Sequence, residues 1–197
     1  MRLRIFLAIA SLLLVAACGE RPGGAPTAFT ATEVTGVEWG RDFHLNDHHG
    51  RPRSLADFRG KVVMLFFGFT HCPDVCPTTL ADMAQVVKAL GPDGARVQGL
   101  FVTVDAARDT PEALAKYVGA FHPSFLGLYG DPAATAAMAR EFKFFHAAHA
   151  ADGNGDYAVE HGSAIYVYGP HGHRRLLMSQ PHDVAAMAAD VARLLKS

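Results

Sequence analysis

Thiols are scarce in this chain, with three cysteines in 197 residues. That count excludes a disulfide-stapled scaffold and leaves too few sulfurs for a four-cysteine structural zinc site. There is no basic run, and the formal net charge is −1, which argues against nucleic acid as a partner. No apolar stretch reaches the roughly 18–20 residues that a membrane-crossing helix needs. Internal repeats are absent, and the single tryptophan, Trp39, says nothing by its position. What remains is a chain whose chemistry must be sought in a few thiols and in its eleven histidines.

The N-terminus reads as an export signal. Arg2 and Arg4 give a positive start, Ile5 to Ala17 is a short apolar run, and Val15-Ala16-Ala17-Cys18 closes it with small residues before a cysteine. This resembles a bacterial lipobox, in which Cys18 carries lipid and becomes the mature N-terminus. The expected organisation is a lipoprotein signal peptide over 1–17, a lipidated N-terminus and flexible spacer over 18–35, and one domain over 36–197. The chain would then be exported and held by lipid on the periplasmic or another extracytoplasmic face. Two nearby thiols in such a compartment become a disulfide unless a reductant or a metal protects them.

Along the domain, Asp42 to Leu45 and the turn at His48 to Arg51 predict an N-terminal hairpin. Lys61 to Phe69 and Val97 to Val104 are continuous apolar runs, the pattern of strands covered on both faces. Thr78 to Leu90 has helical spacing and is stopped by Gly91-Pro92. Thr110-Pro111-Glu112 opens a helix to about Phe121. A short strand at Phe125 to Tyr129 and a helix from Pro132 to Phe145 come next, then a loop over Ala147 to Tyr157. Ser163 to Tyr168 and Arg174 to Met178 read as a hairpin, and His182 to Leu195 as a closing helix. The order predicts an α/β fold with a central mixed sheet flanked by helices and an N-terminal hairpin extension.

The chemistry concentrates at Cys72-Pro73-Asp74-Val75-Cys76-Pro77, directly after the first buried strand. Proline disfavours the α conformation in the residue before it, so Cys76 is expected at a helix N-cap with Pro77 first in the helix. A thiol there should have a lowered pKa. The pair is a redox couple, a metal clip or a structural disulfide. Three intervening residues rather than two let both sulfurs face one centre. Two thiolates with one imidazole would suit Cu(I) and could also hold Cu(II). His161 stands before the Ser163 strand, at the junction where thioredoxin-like folds usually carry a cis-proline facing the cysteines. No proline lies between Glu160 and Tyr168, so His161 should face the thiols.

The cysteine segment, the later run Val104-Asp105-Ala106-Ala107-Arg108-Asp109-Thr110-Pro111, and Tyr157 with His161 together resemble the Sco/SenC family. The likeness extends over roughly residues 40–180. It implies a thioredoxin-like fold and a membrane-tethered copper protein that helps to build the dinuclear copper centre of cytochrome c oxidase. It makes Cys72, Cys76 and His161 the copper ligands, and the copper-bearing oxidase subunit and a thiol reductant the partners. The family usually has Asp-His-Ser where this chain has Glu160-His161-Gly162, and the lost hydroxyl bears on how the imidazole is oriented. Asp74 and Asp105 are candidates for a supporting role. The competing function is a thiol-disulfide oxidoreductase acting through Cys72 and Cys76 on a copper-receiving partner. His71, and the pairs His48/His49, His146/His149 and His171/His173, read as solvated, and Phe142, Phe144 and Phe145 as core and rim.

Overall fold

The computed structural model describes residues 29–144, 146–148, 157 and 159–197. Among these residues, ten short strands form two sheets. The larger has eight strands in the order β1-β10-β9-β4-β5-β6-β2-β3. Its centre is β4 (Val62–Gly68), β5 (Val97–Thr103) and β6 (Leu126–Tyr129), which run parallel. β9 (Ile165–Tyr168) joins β4 antiparallel, β10 (Arg174–Met178) extends that side, and β1 (Thr32–Glu33) closes the edge. At the other edge, β2 (Leu45–Asp47) pairs with β6 and with β3 (Pro52–Arg53). This is the expected hairpin, with its first strand two to three residues later than predicted.

Every residue of β4 is buried, and alternation sends its side chains into two separate cores. Val62, Met64 and Phe66 join one apolar cluster, whereas Val63, Leu65, Phe67 and Phe69 join the other. Fully burying a side chain of this kind stabilises by about 1.5–3 kcal/mol, so β4 anchors both layers and fixes the place where the cysteine loop begins. Four helices cover the sheet: α1 (Val75–Ala89), α2 (Pro111–Gly119), α3 (Pro132–Phe142) and α4 (Val184–Leu194). Asp131 and Asp183 cap α3 and α4 through their carboxylates, and the Thr110 hydroxyl caps α2. No helix among the described residues is long and apolar enough to cross a membrane.

Several expectations are corrected. α3 ends at Phe142 because Lys143 takes the left-handed conformation (φ 51°) and closes the helix. The stretch expected to be a loop begins instead with β7 (His146–Ala148), which pairs with β8 (Val159–His161) in a separate two-stranded sheet. β1 lies inside the stretch assigned to the spacer. There the Asp190 carboxylate accepts the Thr30 and Ala31 amides at 2.8–3.1 Å, so the fold takes hold of the chain before residue 36. Cys18 lies outside the described residues, as do His149 and Phe145. Phe142 and Phe144 are core, with Phe67 stacked on Phe144 at 4.0 Å.

A candidate metal centre

The cysteine loop leaves β4 at its C-terminal end, next to the end of β5. Cys72 is non-helical and half-buried, as its neighbouring proline requires. Cys76 departs from expectation. Asp74 is the N-cap and Cys76 the second residue of α1. Pro77 then stands third, where its missing N–H is still one of the four that a helix start leaves unused. The helix therefore begins two residues early at no hydrogen-bonding cost, and it turns Cys76 inward. Cys76 is 0% exposed.

Burial also reverses the expected acidity. Desolvation pushes the Cys76 thiol far above its ordinary pKa, and its hydrogen-bonding neighbour Cys72 pushes it further. The half-charge of a helix N-terminus does not offset removal from water. Space for the sulfur comes from Gly68, where a Cβ would sit 2.8 Å from Cys76 Sγ and 2.6 Å from the Phe101 ring. Both cysteines are free, and the Cys76 amide donates to Cys72 Sγ at 3.4 Å.

The two-stranded arm brings the third donor. His161 ends β8, opposite His146, and its Nε2 lies 3.6 Å from Cys76 Sγ. Its Nδ1 lies 2.9 Å from the Gly162 carbonyl oxygen. A carbonyl can only accept, so Nδ1 carries the proton and Nε2 turns its lone pair to the sulfur. The backbone thus orients the imidazole, residue 162 being a glycine without a hydroxyl to do so. Phe66 and Phe69 meet the ring edge-on, with centroids 6.1 and 5.8 Å away. The sulfurs of Cys72 and Cys76 and a ring nitrogen of His161 all lie within 4.8 Å of one another, the one such group of three among the described residues.

Supporting contacts hold the loop and the arm. Asp109, 1% exposed, accepts from the Thr70 amide at 3.0 Å, the Thr70 hydroxyl at 2.5 Å and the Thr103 hydroxyl at 2.6 Å. It ties the chain before Cys72 to the end of β5. Asp105 accepts from the Tyr157 hydroxyl at 2.7 Å and from Arg108 Nε at 2.5 Å. The Arg108 guanidinium stacks on Tyr157 at 3.7 Å and lies 5.7 Å from the Phe69 ring. Asp105 therefore reaches the arm through Tyr157 and touches neither sulfur directly. Asp74 is exposed, and among the described residues its carboxylate makes a single long contact, accepting from the Thr78 hydroxyl at 3.5 Å. Sequence reasoning gives Arg108 and Asp109 no role, because a carboxylate shortly beyond a strand end looks like an ordinary helix entry. The signal that could have found them is the density of Asp and Thr in one short run.

Of the histidine pairs, only His146 adjoins this centre, as the cross-strand partner of His161, and no other described histidine joins the group of three. His71 is half-exposed beside Asp109. His48 accepts the Gly127 amide through Nδ1, and its ring meets that of His49 edge-on. His171 and His173 are exposed on the β9–β10 turn.

The fold and the centre define a thioredoxin-like protein with two thiols and an imidazole converging at the end of its sheet. The SCO1/SenC family model matches residues 32–196, and the chain belongs to that family. The mitochondrial SCO2 homolog of Bos taurus is 43% identical over 175 residues, covering 82% of this chain and 66% of that protein. Bradyrhizobium japonicum ScoI, solved with copper bound, is 34% identical with a TM-score of 0.73 over 80% of this chain and 99% of that one. Apo Sco1 from Thermus thermophilus is 40% identical with a TM-score of 0.73, covering 88% and 98%. The chain spans between half and two thirds of the length of its mammalian relatives.

Proposed function

We propose that this chain is a membrane-tethered copper chaperone, which binds copper through Cys72, Cys76 and His161 and delivers it for assembly of the dinuclear copper centre of cytochrome c oxidase. The observation that carries the reading is the convergence of two sulfurs and one lone-pair-bearing imidazole nitrogen within 4.8 Å. That donor set is soft and three-coordinate, which favours Cu(I) and tolerates Cu(II). The copper-bound Bradyrhizobium relative supports it.

Copper is cargo here. Loading displaces the thiol protons, and the buried Cys76 gives up a proton it otherwise holds firmly. Cys76 is then the innermost ligand, with Cys72 and His161 at the accessible edge. An incoming thiolate or imidazole from the oxidase subunit replaces the outer ligands first and Cys76 last, so copper is never released to water. Asp105 and Tyr157 steady the arm that carries His161. Lipid at Cys18 keeps the domain on the extracytoplasmic side of a membrane.

A second reading is favoured by the unequal burial of the two thiols. As a thiolate, half-exposed Cys72 attacks a partner disulfide, forming a mixed disulfide and expelling one partner thiolate. Cys76 then loses its proton and attacks Cys72 Sγ, closing Cys72–Cys76 and freeing the second partner thiolate. The partner gains two electrons and this chain loses them.

Titration of the reduced protein with Cu(I) against a chromophoric chelator tests the first reading, repeated with His161→Ala and Cys76→Ser. One copper per chain is expected, weakened at least about tenfold without His161. Failure to take up stoichiometric copper, or unchanged affinity in His161→Ala, sinks it. Disulfide turnover that survives in His161→Ala while copper binding is lost favours the second.

A further inference from the structure

The helices that come after β4, β5, β6 and β10 all start at the metal-centre end of the sheet and finish at the opposite pole. Acids gather where they start, at Asp74, Glu112, Asp131 and Asp183. Cations gather where they finish. Lys88 and Lys116 stand in the last turns of α1 and α2, and Lys196 lies just beyond α4. Arg59 and Lys61 lie in the turn before β4, next to the β9–β10 turn through the Gly60 amide on the Pro170 carbonyl (2.8 Å). None of these five has an ion pair among the described residues. Of the acids near them, Asp93 faces Arg96 and Glu141 faces Arg41, each at 3.7 Å, while exposed Glu38 and Asp57 have no ion pair among the described residues, two carboxylates against five unpaired cations.

Complementing helix dipoles explains one cation per helix end. It does not explain Arg59 and Lys61, which belong to no helix, nor the apolar spot on the same pole. Val37 is 39% exposed, one of two large hydrophobic residues so exposed among those described. Beside it, half-buried Trp39 stacks on the guanidinium of buried Arg174 at 3.7 Å. Val37, Trp39 and Pro170 flank an open cavity of 510 Å³. Exposed lysine and arginine on the same pole as an aromatic and aliphatic spot is the composition of a surface that rests on a bilayer interface.

We propose that this pole docks on an anionic lipid surface. The inference rests on the membrane tethering proposed above and adds an orientation to it. Residues 19–28 between Cys18 and the fold can reach up to about 35 Å when extended, so a tether of that length does not itself turn the domain. The basic pole does. Because β4 is seven residues long and rises about 3.3 Å per residue, docking holds Cys72, Cys76 and His161 more than about 20 Å from the headgroups and facing outward. The acids at the helix starts are then turned away from the bilayer.

Trp39, the only tryptophan, reports the pole. The full chain is mixed with vesicles of phosphatidylcholine alone, or of phosphatidylcholine with about a third phosphatidylglycerol. On the anionic vesicles a blue shift of Trp39 emission and quenching by headgroup-labelled lipid are expected, both reversed near 1 M salt, where screening is complete within about 3 Å. The variant Arg59→Glu/Lys88→Glu/Lys196→Glu should lose at least about fivefold in vesicle affinity per charge and keep its copper uptake. Identical Trp39 emission on the two vesicles, an unchanged response in the variant, or an equal response to soluble polyglutamate each overturns lipid docking. Flotation with neutral vesicles in high salt reads the tether alone. A chain that floats there without the lipid-dependent shift loses the docking and keeps the tether. One that shows the shift without floating keeps the docking and loses the tether.

Discussion

Asp47 and Cys76 are both polar, both wholly buried, and both sit where a strand or its loop ends. Their environments act on them in opposite directions. Around Asp47, desolvation raises the pKa, but the Arg51 amide, the Arg53 guanidinium at 2.9 Å and the His49 amide together outweigh it, and the carboxyl ends below its ordinary value. Around Cys76, Gly68 and the His161 imidazole stand close, burial raises the thiol and Cys72 adds to the rise, and the one opposing influence, a backbone hydrogen bond at Phe69, does not offset them. The fold satisfies the first site completely. At the second it brings two thiols and an imidazole together with no cationic side chain beside them among the described residues, as the proposed copper site would need.

Exchanging the two kinds of loss breaks this comparison if it is wrong. The largest effect is expected for Cys76→Ala, with copper affinity falling more than about a hundredfold, beyond the range for a merely supporting group. Thermal stability should fall by only about 1 kcal/mol, because a small apolar side chain replaces a small buried thiol. Competition with a chelator and a thermal melt read the two quantities on one sample. Asp47→Asn should do the reverse. It leaves Arg53 without its carboxylate and costs about 2 kcal/mol at neutral pH, with copper affinity unchanged.

That cost should depend on pH with a definite sign. The folded pKa of Asp47 is depressed, so its contribution is complete above the usual carboxylate range near 4 and fades as pH falls through the lower folded value. Denaturation curves of wild type and Asp47→Asn should converge in acid. A gap that persists at low pH would show that the loss is packing rather than charge.

Gly68→Ala sharpens the geometry. Its new Cβ meets Cys76 Sγ at 2.8 Å and the Phe101 ring at 2.6 Å, and overpacking of this kind costs about 1–3 kcal/mol. Copper affinity should drop with stability, since the sulfur must move; a stable variant with intact binding would mean that the pocket is looser than these distances require. The smallest effect is expected from Tyr157→Phe, which removes only the hydroxyl donated to Asp105. Stability should change by about 1 kcal/mol or less, while copper transfer to a chelator quickens severalfold as the arm loosens. Equal rates would remove Tyr157 from the support of His161.

Much of the fold was legible in the sequence. The runs over β4 and β5 and the punctuation at Gly91-Pro92 and Thr110-Pro111 are local signals, and the structure obeys them. What failed was also local in origin. The rule that proline disfavours helix before it placed Cys76 at a cap, yet a helix start tolerates proline at its third position when the side chain gains burial. The β7–β8 arm was invisible because its strands are three residues each and separated by a polar, glycine-containing stretch. Periodicity needs longer runs than that.

By itself, the sequence singled out the residues that the fold brings together: two thiols at a proline-marked corner and a histidine at a junction that lacks proline. Tertiary structure decided their state. Only the packed sheet shows that Cys76 is buried and its thiol hard to ionise, and that a backbone carbonyl sets the tautomer of His161. It alone shows Asp109 and Tyr157 bracing the loop and the arm, and cations gathered at the far pole. These features arise because residues distant in the chain meet at one end of a sheet, and desolvation depends on everything that surrounds a group rather than on its neighbours in sequence.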